Sequence, residues 1–93
     1  MIRSFIDKEA EKIWEGTASR RLPFDIQNVA RRKLRMLDNA VNLNDLRAPP
    51  ANRLEALSAD RKGQHGIRID DQWRICFRWK SDGIHDVEIV DYH

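Results

Sequence analysis

Asp91, Tyr92 and His93 close the chain and set a carboxylate, a phenol and a titratable imidazole side by side. Upstream, Arg68 stands between Ile67 and Ile69, and Arg74, Cys76 and Arg78 alternate with Trp73, Ile75, Phe77 and Trp79. Successive side chains of a strand point to opposite faces, so if the apolar residues face a core, Arg68, Arg74 and Arg78 share the other surface. Planar guanidinium groups offer paired donors that match phosphate oxygens, and strands orient them more tightly than loops do. Glu55, between Leu54 and Ala56, joins that surface if Leu54 points inward. A carboxylate and an imidazole converging on such a face suit general acid–base chemistry on a phosphodiester. One group takes the proton of a ribose 2′-hydroxyl, and the other protonates the departing 5′ oxygen. The arginines would stabilise the added negative charge of a phosphorane-like transition state. Tyr92 could stack on a base or donate to a phosphate. This chemistry calls for no metal and no cofactor, and His65 and His85 have no ligand spacing with each other or with Cys76.

The same residues have plainer readings. The arginines could pair with Asp70, Asp71, Asp86 or Glu88 across the sheet, as exposed antiparallel faces commonly do. Tyr92 could be a half-buried aromatic at a strand end, and Glu55 and His93 could be inert surface groups. There is no glycine-rich phosphate loop, no nucleophilic Ser or Cys with a base, and no dinucleotide fingerprint.

The elements that must position these groups follow from periodicity. The 93 residues are expected to make one domain, 1–93, with a single core. Asp7 reads as an N-cap with Glu9 and Glu11 in the first turn, giving a helix over residues 8–14 stopped by Gly16. Ile2 to Phe5 reads as a short first strand. After Pro23, Ile26, Ala30, Leu34, Leu37 and Val41 recur every three or four residues, a helix buried on one side with Arg31, Arg32 and Arg35 mostly off that side. Ala48-Pro49-Pro50-Ala51 is expected to stop regular structure, because proline lacks the donor that a helix or a ladder needs. Strands are predicted over 53–57, 64–69, 73–79 and 85–90, separated by turn-rich segments. The expected fold is α+β, two N-terminal helices packed on a mainly antiparallel, twisted sheet.

Net charge is only +2, but it is unevenly spread. Residues 20–35 hold Arg20, Arg21, Arg31, Arg32, Lys33 and Arg35 against Asp25 alone, and residues 47–68 are also strongly basic. Residues 81–93 hold Asp82, Asp86, Glu88 and Asp91 and no Lys or Arg. Positive charge confined to part of a molecule is the expected footprint of a phosphate-binding face, although arginines on an exposed helix can also be merely solubilising. A lone Cys76, no long apolar run and a charged N-terminus lead us to expect a cytoplasmic protein with no membrane association.

Asn52-Arg53-Leu54-Glu55-Ala56-Leu57, Asp60-Arg61-Lys62-Gly63-Gln64-His65, Ile67-Arg68-Ile69, Gln72-Trp73-Arg74-Ile75-Cys76-Phe77 and Val87-Glu88-Ile89-Val90-Asp91-Tyr92-His93 closely resemble the HigB (GraT-like) killer toxins of the RelE/ParE superfamily. The likeness covers nearly the whole chain. It implies a RelE-like fold and a ribosome-dependent mRNA endonuclease that cuts message in the A site and halts translation. It also implies a HigA-type helix-turn-helix antitoxin, with operator DNA bound only through the toxin–antitoxin complex. By position, Arg68 and Arg74 match or neighbour the family's phosphate-handling arginines, and Asp91, Tyr92 and His93 match its catalytic C-terminus. Arg53, Arg61, Lys62, Arg78, Arg31, Arg32 and Arg35 become the expected contacts to RNA and ribosome. Some members carry a histidine where this chain has Glu55 and a lysine where it has Ser58. Other superfamily toxins pair a strand glutamate with a C-terminal histidine, which fits Glu55 as base and His93 as acid. Alternatively Glu55 is inert and Asp91 and His93 share the proton transfers. Within the superfamily, a gyrase inhibitor of the ParE kind or a non-catalytic ribosome or RNA binder remains a competing reading.

Overall fold

The computed structural model describes residues 1–92. Helix α1, Lys8–Trp14, starts at Asp7, whose Oδ1 accepts from the Glu9 backbone N–H at 2.9 Å, and buries Ala10 and Ile13. Helix α2, Phe24–Asn39, follows Pro23 and buries Ile26, Ala30, Leu34 and Leu37, the spacing that carries one helical face inward. It ends two residues short of Val41, which was expected on its apolar face and instead lies 81% exposed beyond it. The two helices are tied where Arg31 Nε donates to the Ile13 carbonyl at 2.9 Å.

Four strands then form one antiparallel sheet in chain order: β1, Glu55–Ala56; β2, His65–Arg68; β3, Trp73–Lys80; and β4, Gly83–Asp91. The N-terminal residues extend its far edge through parallel bridges from Ile2 to Ile84 and from Phe5 to Val87. Ile67, Ile75, Phe77, Ile84, Val87 and Ile89 face the helices and are buried with them in one core, with Trp73 and Trp79 packed at its margin. The α+β architecture expected from the sequence is therefore the observed one, with one strand much shorter than predicted.

β1 is only two residues long because of what precedes it. Short 3-10 turns occupy Leu43–Arg47 and Pro50–Asn52, and Arg53 adopts a left-handed conformation at φ 47°. Asn52 fixes this segment from inside. Its Nδ2 donates to the carbonyls of Leu46 at 3.1 Å and Ala48 at 3.2 Å, while its Oδ1 accepts from Lys33 Nζ. Lys33, counted on sequence grounds with the basic block, is thus buried beneath α2, and burial lowers its pKa, with Arg32 adding to the effect. The clasp leads the chain directly into Glu55.

Candidate active site

Strand register sorts the side chains into rows on the sheet face away from the helices. Arg68 lies opposite Arg74, and Arg74 opposite Val90. In the next row Glu55 faces Gly66, Gly66 faces Cys76, and Cys76 faces Glu88. Directly opposed residues share a face, so the expected common surface for Arg68, Arg74 and Glu55 exists. Gly66 has no side chain between Glu55 and β3, and the Glu55 carboxylate reaches across to Arg74, with Oε1 2.9 Å from NH1. That NH1 is buried and makes no aligned hydrogen bond. The contact is therefore an off-axis ion pair that leaves directional donor capacity unused.

Tyr92 completes the group. Its ring stacks on the Arg74 guanidinium, 4.7 Å from the Arg74 Cζ to the ring centroid, so the arginine is held between a carboxylate and an aromatic face. Asp91 goes elsewhere. It pairs with Trp73, whose side chain belongs to the helix side, and Gln72 Nε2 donates to its Oδ2 at 3.0 Å. Alternation at the end of β4 thus sets Asp91 and Tyr92 on opposite sides of the strand. His93 lies outside the described residues.

The other cations on this face are paired as well. Arg68 pairs with the exposed Asp71 and donates through Nε to the Asp70 carbonyl at 2.9 Å. Arg78 Nε lies 3.3 Å from Asp86 Oδ2. Arg61 bonds Glu88 and also donates to Gln64 Oε1 at 3.1 Å; the Glu88 hydrogen bond raises the Arg61 pKa. Carboxylate pairing, the plainer reading of these arginines, is thus observed, and a phosphate would have to exchange with carboxylates that are themselves wholly or partly exposed. Cys76 is a second departure, because it sits on the guanidinium face and is fully buried. Leu57 leans over neighbouring Gly66, its Cδ2 3.5 Å from where a Cβ would stand. Burial pushes the Cys76 thiol above its usual range, so it is no thiolate nucleophile.

Of the remaining basic residues expected to touch RNA, Arg32, Arg35, Arg53 and Lys62 are exposed, whereas Arg31 is partly buried against α1. Periodicity offered no sign that Lys33 and Asn52 pair inside. Asn52 follows two prolines, where a polar residue reads as loop surface, and only the tertiary contact reverses that.

Two helices packed on one face of a four-stranded antiparallel sheet, with carboxylate, guanidinium and phenol on the other, define the class by architecture as RelE-like α+β. A chain of the YoeB–YefM complex from Staphylococcus aureus superposes with a TM-score of 0.62 at 16% identity, covering 100% of this chain and 95% of that one, which speaks for the fold. A family model described as RelE-like toxin of type II toxin-antitoxin system HigB matches residues 3–93. Toxin HigB-1 of Vibrio cholerae is 40% identical over 94 residues, spanning 100% of this chain and 98% of the relative. An uncharacterized protein of Haemophilus influenzae is 32% identical over 72 residues, 77% of this chain and 71% of that protein. The chain belongs to the HigB-like family, and it is a RelE-like toxin of a type II toxin–antitoxin system with an antitoxin as its partner. Among the described residues no helix is long and apolar enough to cross a membrane.

Proposed function

We propose that this toxin is a ribosome-dependent mRNA endonuclease that stops translation and growth by cutting message in the A site. The observation that carries the proposal is the Glu55–Arg74–Tyr92 group, with a buried guanidinium nitrogen 2.9 Å from a carboxylate yet without an aligned acceptor. A phosphate oxygen is the kind of acceptor such a donor lacks.

The chemistry is a metal-independent acid–base displacement. Glu55 takes the proton of the ribose 2′-hydroxyl, and the 2′ oxygen attacks the adjacent phosphorus. Arg74 and Arg68 stabilise the charge gathering on the phosphoryl oxygens. The 5′ oxygen departs with a proton from His93, leaving a 2′,3′-cyclic phosphate and a 5′-hydroxyl. Tyr92 stacks a base or steadies Arg74. Asp91, bonded to Gln72 at the end of β4, shares the proton transfers with His93 in the alternative in which Glu55 is inert. Arg32, Arg35, Arg53, Arg61, Lys62 and Arg78 supply the positive surface for ribosomal and messenger RNA, in the cytoplasm. The partner is a HigA-type helix-turn-helix antitoxin, and operator DNA is bound only by the complex of the two.

Brief induction followed by mapping of new 5′ ends within translated messages tests this reading. Wild type should produce such ends while DNA supercoiling stays normal, and Glu55→Gln should slow their appearance about 10²-fold or more, the usual contribution of a positioned base. An unchanged rate in Glu55→Gln removes it from the mechanism. Relaxed or trapped DNA with intact message would point to a gyrase inhibitor instead.

A further inference from the structure

An irregularity in β4 decides where His85 points. Alternation counted back from Ile89 and Val87 would turn residue 85 into the core and residue 84 outward. Instead β4 shifts register against β3 between Cys76 and Arg78, and Asp86 takes φ 56°. The extra residue returns Ile84 to the core and presents His85 opposite Arg78, on the guanidinium face. A left-handed conformation is uncommon outside glycine and persists where neighbours hold it. Ser4 does so here, its Oγ accepting from the Asp86 N–H at 2.9 Å and its carbonyl from the Val87 N–H at 3.1 Å.

The imidazole that results is fixed at both nitrogens. Nδ1 lies 3.5 Å from Ser4 Oγ, and Nε2 lies 2.8 Å from Asp82 Oδ1. That second bond holds the Asp82 carboxyl below its usual range. With its edge committed, the ring has its face to offer a ligand. Beside it, the Arg78 guanidinium rests on Gly63, where a Cβ would come within 2.8 Å of NH1. His85 stands directly opposite Arg78, so an arginine and a ring also lie side by side four residues along the strand from Arg74, about 13 Å away. Arg61, paired with Glu88 opposite Cys76, fills the row between. Rows on one strand face are about 6.6 Å apart, so the face carries a file of cations with an aromatic ring at each end.

We propose that Arg78 and His85 form a second nucleotide-binding station, taking a phosphate and a base of the same single-stranded RNA that is cut at Arg74. Arg78 exchanges Asp86 for a phosphate oxygen, and the His85 face carries the base. The assignment rests on the endonuclease reading and adds the path of the strand, along β3 past Arg61.

Binding of 2′-O-methyl oligonucleotides, which cannot be cut, separates the two ideas. For the wild-type toxin, lengthening the probe from two to four nucleotides should tighten binding about tenfold, the effect of one stacked base. His85→Ala should lose that gain, leave two-nucleotide binding unchanged and stay folded by circular dichroism, and Arg78→Ala should lose the gain as well. His85→Phe should restore it, as a merely structural histidine would not allow. In cleavage of ribosome-bound message His85→Ala should raise KM with kcat near wild type. A length gain that survives both alanine variants overturns the station, as does a loss of antitoxin binding alone, which would make the patch a protein interface. Absence of any message cleavage by wild type would instead defeat the endonuclease reading, whatever the oligonucleotides show.

Discussion

Arg74→Ala should separate activity from stability, and the structure sets the size of both effects. The Arg74 side chain is 17% exposed and its partner Glu55 is 44% exposed, so water takes over much of the lost Coulomb attraction. Pairs of that kind contribute about 0–1 kcal/mol. Stacking on Tyr92 at 4.7 Å adds about 0.5–1 kcal/mol. The loss is then about 0.5–2 kcal/mol, out of the roughly 5–15 kcal/mol typical of a folded domain. For a domain of this size that lowers Tm by about 2–15 °C, which leaves the variant folded at 25 °C. Cleavage should fall about 10²–10³-fold, because a donor fixed beside the reacting phosphate is lost. Arg74→Lys keeps the charge but not the planar fork or the stacking surface, and should recover only part of the rate. The assay is single-turnover appearance of 5′ ends on saturating programmed ribosomes, paired with thermal unfolding of each variant. Wild-type cleavage by Arg74→Ala would refute the role. So would loss of the folded signal at 25 °C, which would mean that the guanidinium serves structure.

Asn52→Ala should behave in the opposite way, since it strands buried Lys33 Nζ and two backbone carbonyls. With net values of about 1 kcal/mol per neutral hydrogen bond and 1.5–3 kcal/mol for the charged one, the loss is about 4 kcal/mol. A Tm drop under about 5 °C would show that the clasp is not maintained in solution, and adding Lys33→Met should recover part of the loss by removing the stranded ammonium. Acid should weaken the fold through Glu9, held low mainly by Ser19, Asp45, held low by the Asn42 and Val41 N–H groups, and Asp82, held low by His85. Their folded pKa values lie below the unfolded ones, so the stabilisation is present above about pH 4.5 and is lost as pH falls through the folded values. Replacing all three by amides should lower stability at pH 6 and flatten its decline toward pH 3. Denaturation midpoints that run parallel to wild type would rule these groups out as the source.

Much of the candidate site was legible in the sequence because strand alternation is a local rule. Arg68 between isoleucines and Arg74 between Trp73 and Ile75 needed only a period of two to reach a common face, and Glu55 beside Leu54 followed suit. Asp91 and Tyr92 obey the same rule, which parts them, although sequence adjacency invited reading them as a block. The place of His85 on the guanidinium face was not legible, for the converse reason. Alternation fails at the bulge, and its trace in sequence is slight: Ile84 and Val87, both buried, stand three apart where two is the rule. Lys33 and Asn52 escaped because a lysine in a basic run and an asparagine after prolines read as surface.

By itself the sequence determined the order of elements, the apolar faces of α2 and β3, and which strand positions could carry phosphate-binding chemistry. Each of these depends on neighbours a few residues away, through backbone period and local capping. The tertiary structure decided the rest: that Glu55 spans a glycine to reach Arg74, that Tyr92 stacks there while Asp91 turns aside, that Cys76 is buried and Leu57 packs over Gly66, and that Ser4 holds the bulge aiming His85. Those outcomes depend on register between strands distant in the chain, and the summed packing of the core selects that register.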